Sequence, residues 1–188
     1  MSLLPDYEIR RLCANGLQMI KPFSGKTVRE RGGKKILSYG LDAAGYDLRL
    51  KDGVKFFSAD SEEVVDPKDF KERTMIIRRS GKDGSIVIPR GTTALGRSVE
   101  HIKMPNNVWA LVIAKSTYAR CGVTLNATKI VPGWEGDLVL EISNMTPNPV
   151  KIYPDEGIAS IVFFSVPPPD VLYSGLYQKQ KGITLPKV

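Results

Sequence analysis

Residues 130–142 read Ile130-Val131-Pro132-Gly133-Trp134-Glu135-Gly136-Asp137-Leu138-Val139-Leu140-Glu141-Ile142. Pro132-Gly133 is a turn, and the residues after it alternate. Leu138, Leu140 and Ile142 fall on one face of an extended chain, Val139 and Glu141 on the other. The pattern predicts a half-buried strand entered from a turn. It leaves two readings of Glu141. On a wet face the carboxylate is simply hydrated. Against a pocket wall beside apolar Val139, desolvation would raise its pKa and suit it to proton transfer.

Working outward, the same texture recurs. Gly53–Ser58, Thr74–Arg78, Ser85–Pro89, Val108–Ala114, Val150–Tyr153 and Ile158–Val166 are short, rich in β-branched or aromatic residues, and separated by Gly, Pro, Asn and Asp. Many short strands with few helices predict a mainly β sandwich, jelly roll or barrel. One helix is expected near the N-terminus. Pro5, Asp6 and Glu8 suit its start, Gly16 its end, and Ile9, Leu12 and Cys13 form an apolar stripe. Residues 22–40, rich in Gly, Lys and Arg, read as a loop or arm. Pro167-Pro168-Pro169 stops the last strand. The chain thus divides into a β domain over 1–171 and a C-terminal tail over 172–188, too poor in apolar residues to pack alone and of a kind that is often disordered or folds over a ligand.

Composition narrows the function classes. The chain has 188 residues, 42% of them hydrophobic, enough for one domain with a real core. No apolar run reaches membrane-spanning length, and Met1–Asp6 lacks a secretory signal pattern. With Cys13 and Cys121 far apart, a disulfide framework is not expected and a cytoplasmic location is. One histidine, His101, and no Cys-x-x-Cys leave too few ligands for a zinc site of the nucleobase-deaminase kind. The +7 net charge fits either an anionic partner or a solvated surface, the basic residues being scattered. A nucleic-acid-binding barrel would show aromatics interleaved with Lys and Arg along one strand face. Phe56-Phe57 and Phe163-Phe164 read as core instead.

Two further stretches bear on chemistry. Lys115-Ser116-Thr117-Tyr118-Ala119-Arg120-Cys121-Gly122 comes directly after the apolar strand Val108–Ala114. Ser116 or Thr117 suits the cap of a short helix and Gly122 its end, and Ser116 and Arg120 share a face at i, i+4. This is either an anion site, with cations and hydroxyls at a helix start, or a capped connector. Ser38–Leu50 contains Ala43-Ala44-Gly45-Tyr46-Asp47-Leu48-Arg49 and reads as a tight turn into a strand.

Taken together, Lys115–Gly122, Pro132–Gly136, Val139–Glu141 and Ala44–Arg49 resemble the dCTP deaminases of the dUTPase-like superfamily, over nearly the whole chain. The resemblance implies a homotrimer of distorted β-barrel or jelly-roll subunits with nucleotide sites at their interfaces. It implies conversion of dCTP to dUTP and ammonia without zinc, with Mg2+ carried by the triphosphate, and no nucleic-acid or membrane partner. Carried over by position, it makes Glu141 the general base, with Ser116, Arg120 and the backbone at Ala127 orienting the water. Nucleotide contacts fall on Lys115, Ser116, Thr117, Tyr118, Ala119 and Arg120, on Val139, Leu140 and Glu141, and on Ser160, Tyr173 and Gln180. The sequence departs from the family pattern at Val131, Ser160 and Leu176, all on the binding side. A dUTPase, a bifunctional enzyme continuing to dUMP, and a non-catalytic nucleotide or nucleic-acid binder are the alternatives on the same scaffold.

Overall fold

A computed structural model describes residues 1–14, 16–58, 62–126 and 128–188, together with the backbone but not the side chain of Thr128. In chain order the elements are β1 (Ser2–Leu3), α1 (Asp6–Cys13), β2 (Ile20–Lys21), β3 (Val28–Arg31), β4 (Lys34–Asp42), β5 (Gly45–Arg49), β6 (Val54–Phe57), β7 (Met75–Arg78), β8 (Ile86–Ile88), β9 (Thr93–Lys103) and β10 (Val108–Ala114). After them come α2 (Ser116–Arg120), β11 (Val123–Leu125), β12 (Thr128–Ile130), β13 (Glu135–Asn144), β14 (Val150–Ile152) and β15 (Gly157–Ser165). The mainly β class expected from turn spacing is what forms. A 3-10 turn at Glu72–Thr74 leads into β7.

Two larger antiparallel sheets carry the fold. One has the order β12-β10-β15-β5-β4-β3, with β1 also on β15; the other runs β11-β13-β9-β6-β7, with β2 also on β9. β8 and β14 make a separate pair. Their buried faces share one apolar core, in which Leu48, Ile102, Leu140, Ile142, Ile161 and Phe163 have no exposed surface. Each such side chain contributes about 1.5–3 kcal/mol through burial. The chain leaving β5 crosses to β9, where Leu50 pairs with Ser98 and Lys51 N–H donates to Arg97 O at 2.8 Å. An Arg49–Glu100 ion pair at 2.7 Å lies on that seam. Burial pushes the Glu100 carboxyl upward, and Arg49, through its guanidinium and its backbone N–H, opposes that rise.

Three segments differ from the sequence reading. Residues 22–40 are not an arm: β3 and β4 pair as a hairpin. Gly32 and Gly33 turn it, both at positive φ (57° and 75°), which a two-residue hairpin turn demands. β3 and the start of β4 are exposed, so no alternation of apolar residues marks the hairpin. The longest strand, β9, is likewise unmarked. Its buried face carries Gly96, Ser98 and Glu100 among Ala94 and Ile102, and polar residues there hide the period. Third, the tail is docked on the domain, along Pro132–Asp137. The Ala43-Ala44 turn does lead from β4 into β5, with Asp42 opposite Gly45. α1 forms near the N-terminus as expected, with Ile9 and Leu12 buried, but Pro5 is its N-cap and it closes at Ala14, short of the Gly16 expected to end it. Both cysteines are free.

Candidate functional site

β13 behaves as its alternation predicts. Leu138, Leu140 and Ile142 are buried, while Glu135, Asp137, Val139 and Glu141 emerge on the other face. On β9 their register partners are Lys103, His101, Arg97 and Leu95. The two strands therefore present a strip with an ionic half and an apolar half. Over the second half lies a cavity of about 510 Å³, of nucleotide size. Leu95 from β9 and Leu138, Val139 and Glu141 from β13 line it, with Lys129, Ile130, Val131 and Trp134 from β12 and the turn after it. Its remaining wall is the tail: Tyr173, Tyr177, Gln180, Thr184, Leu185 and Pro186. Glu141 is half-buried and sits in this wall, as the sharper of its two readings requires.

The tail is strapped along Pro132–Asp137. Trp134 Nε1 donates to Tyr177 O at 3.0 Å, and Lys179 N–H to Glu135 O at 2.7 Å. Gln178 Oε1 accepts Glu135 N–H at 2.8 Å while its Nε2 donates to Gly133 O at 2.8 Å. Gln180 bridges Gly136 in parallel register, taking the stretch of β13 edge that lies beyond β11. Gly136 permits this approach, because a Cβ there would stand 3.1 Å from Gln180 O and 3.0 Å from the Trp134 ring. The tail lacks a core of its own and borrows the Trp134 wall. A net of about 0.5–1.5 kcal/mol per hydrogen bond does not exceed an ordering cost of about 1–2 kcal/mol per residue. Apolar contact with the cavity wall must supply the rest.

Charge is concentrated on the ionic half of the strip. Asp137 Oδ2 accepts from Arg97 at 2.8 Å and from Gly182 N–H at 3.0 Å, and Oδ1 meets His101 Nδ1 at 3.1 Å. His101 Nε2 lies 3.4 Å from Glu135. Burial alone would raise the Asp137 carboxyl; the Gly182 amide, His101 and Arg97 together outweigh it and hold it below the usual aspartate value.

The predicted site residues fall into two groups. Val139, Glu141, Tyr173 and Gln180 meet at the cavity. Lys115–Arg120 and Ser160 do not line it. α2 spans Ser116–Arg120 as expected, but Lys115 is its N-cap and no side chain caps it, so neither Ser116 nor Thr117 does. The Lys115 ammonium is bound to Asp47, whose other oxygen accepts from Ser160 Oγ. Lys115 and Asp47 are only 11% and 12% exposed, so this lysine is a buried ion-pair partner rather than an open cation. Tyr118 turns inward, 4% exposed, and its hydroxyl accepts Tyr153 N–H at 3.1 Å. Leu140 likewise points into the core. Ser116, Thr117, Ala119 and Arg120 remain on the surface. Ala127 lies outside the described residues. Leu95, Lys129 and Thr184–Pro186 join the wall without having been expected there; Leu95 and Thr184–Pro186 carry no local signal because they arrive from distant segments, and Lys129 stands just before the alternating stretch. Among the described residues no group of three or more His, Cys, Asp or Glu side chains is gathered as a metal site.

This fold and cavity define a β-rich protein with a nucleotide-sized pocket, and the comparisons specify the class. Residues 3–166 match the dCTP deaminase-like family. The chain is 46% identical to the dCTP deaminase of Nautilia profundicola over 193 residues, covering 100% of this chain and 99% of the relative. It is 47% identical to that of Chlamydia pneumoniae over 194 residues, covering 100% of both. The 2'-deoxycytidine 5'-triphosphate deaminase structure from Agrobacterium tumefaciens shares the fold at TM-score 0.58 and 19% identity; 85% of this chain matches 46% of that one, about half its length. The chain belongs to the dCTP deaminase-like family.

Proposed function

We propose that this chain hydrolyses the exocyclic amine of dCTP, giving dUTP and ammonia. The observation that carries the reading is Glu141 in the wall of a nucleotide-sized cavity, beside apolar Val139 and Leu95. Glu141 takes a proton from a water that attacks C4 of the cytosine ring. It returns that proton to N3, and a second transfer to the amine lets ammonia leave. The chain's one histidine is engaged with Glu135 and Asp137, so no Cys/His donor set is available for zinc and the carboxylate carries the base role. Mg2+ enters with the triphosphate as part of the substrate.

The cavity and α2 do not meet within one chain, and this supports a site completed between copies. In a homotrimer the exposed face of α2 from one subunit would reach the cavity of its neighbour, with Ser116, Arg120 and the backbone at Ala127 orienting water and intermediate. Since Lys115 is paired with Asp47, and Ser116 and Arg120 serve the ring, the exposed Thr117 hydroxyl is left to face the phosphates from that segment. The tail acts as the lid, excluding water from the ring.

Incubation with dCTP, CTP, dCMP and dUTP in the presence of Mg2+, followed by product identification, tests the reading. Ammonia and dUTP from dCTP are expected. Release of dUMP would instead assign a second, hydrolytic step, and no ammonia from dCTP would overturn the proposal.

A further inference from the structure

Asp137 stands outside every role assigned so far, yet it holds the tail at two consecutive levels. Its backbone N–H donates to Gln180 O at 3.0 Å, and its backbone O accepts Gln180 Nε2 at 2.8 Å. Its carboxylate accepts Gly182 N–H at 3.0 Å. Both grips flank Lys181, immediately before Thr184, Leu185 and Pro186 enter the cavity wall. The carboxylate is itself fixed from β9 by Arg97 and His101. Arg97 is the register partner of Val139 and lies two residues along β9 from cavity-lining Leu95. The anchor is thus built on β13, the strand that carries Glu141, and on its partner β9, with Asp137 two residues before Val139 and on the same face.

We infer that Asp137 is a positioning residue for the nucleotide pocket: held by Arg97 and His101, it pins residues 180–182 and so sets where Thr184–Pro186 close over Glu141. The functional half of this inference rests on the cavity being the dCTP site; the anchoring half does not. The charge-assisted amide contact is the part that a side-chain substitution removes, because the backbone bonds to Gln180 survive it. Loosening the wall weakens retention of the nucleotide more than it alters proton transfer at Glu141, which stays on a rigid strand.

The test compares the full-length wild type with Asp137→Ala and the near-isosteric Asp137→Asn. In Asp137→Ala, amide hydrogen exchange over residues 180–186 should accelerate about 10-fold or more, with β10 and β15 unchanged. The KM for dCTP should rise about 10-fold while kcat moves by less than about 3-fold. Asp137→Asn keeps an acceptor for Gly182 N–H and loses the ion pairs, so it should fall between the two; it also serves if the alanine variant does not fold. Tail exchange as slow as in the wild type overturns the anchor. Faster exchange throughout the sheet shows a general structural role and overturns it as well. Faster tail exchange with unchanged KM overturns the link to the pocket. If the wild type does not deaminate dCTP, the exchange measurement still decides the anchor while the dCTP reading fails separately.

Discussion

The segment 115–120 and the cavity around Glu141 are built on opposite principles. The first is continuous in sequence: a strand ends, a five-residue helix begins, and one buried lysine ties it to Asp47, which also accepts from Ser160 Oγ. The second is assembled from β9, β12, β13 and the C-terminal tail, segments separated by up to half the chain. The local segment shows Ser116, Thr117, Ala119 and Arg120 to solvent and encloses nothing. The assembled one encloses a volume, but among the described residues its wall holds one basic side chain, Lys129, and no guanidinium for a triphosphate. The difference teaches that neither region is a complete site alone, and each can be broken separately.

The largest effect is expected at the cavity. Glu141→Gln keeps shape but cannot accept a proton, so turnover should fall by about 10²–10⁴-fold with dCTP affinity largely kept. Ammonia release and calorimetric titration check this; retention of more than a small fraction of activity would remove Glu141 as the base. At the other region, Asp47→Ala leaves the Lys115 ammonium buried without its partner. A loss of about 3–5 kcal/mol of stability is expected, read from denaturant unfolding. An unchanged midpoint would show that Lys115 swings out to solvent instead.

Joining the two regions gives the sharpest discrimination. Glu141→Gln and Arg120→Ala subunits should each be inactive as pure trimers. Unfolded together and reassembled in equal amounts, they should recover about one quarter of wild-type turnover, since a site between neighbours is intact when a good Glu141 faces a good Arg120. No recovery would place both residues in one chain's site, and a monomer by light scattering would remove the trimer. Truncation after Pro169 should then raise the apparent KM about 10-fold or more by opening the cavity to water. Unchanged kinetics would reduce the tail to an inert strap.

The smallest effect is electrostatic. Asp137 has its carboxyl lowered in the folded protein relative to the ordinary value of 3.8. Its contribution to stability is therefore complete above that value and is lost as pH falls through its lower folded value, where the unfolded chain already binds the proton. Denaturant midpoints for wild type and Asp137→Asn between pH 6 and about 2.5 should converge at the acid end. Parallel curves would show that the ion cluster does not favour the charged form.

Much of the fold is legible in the sequence, for identifiable reasons. β10, β13 and β15 bury apolar residues on a clean period, and period is what a sequence displays. α2 is visible because Gly122 ends it one turn after an apolar strand, at a φ of 71°. β9 is invisible because Glu100 occupies a core position, and Arg49, 51 residues earlier, makes that burial tolerable. The hairpin β3–β4 is invisible because β3 and the start of β4, on either side of its turn, bury little. The role of Lys115 is hidden for the same kind of reason: nothing near it in sequence announces Asp47.

The sequence by itself determined the strand-rich class, the face on which Glu141 emerges, and the residues able to do acid–base and anion chemistry, since alternation and residue type are local properties. Only the tertiary structure decided which of them share a cavity, that Lys115 is spent on Asp47, and that residues 172–188 lie along Pro132–Asp137 instead of free in solvent. Those outcomes depend on pairings between distant segments, whose free energy comes from buried area and matched charges that exist only once the strands are in register.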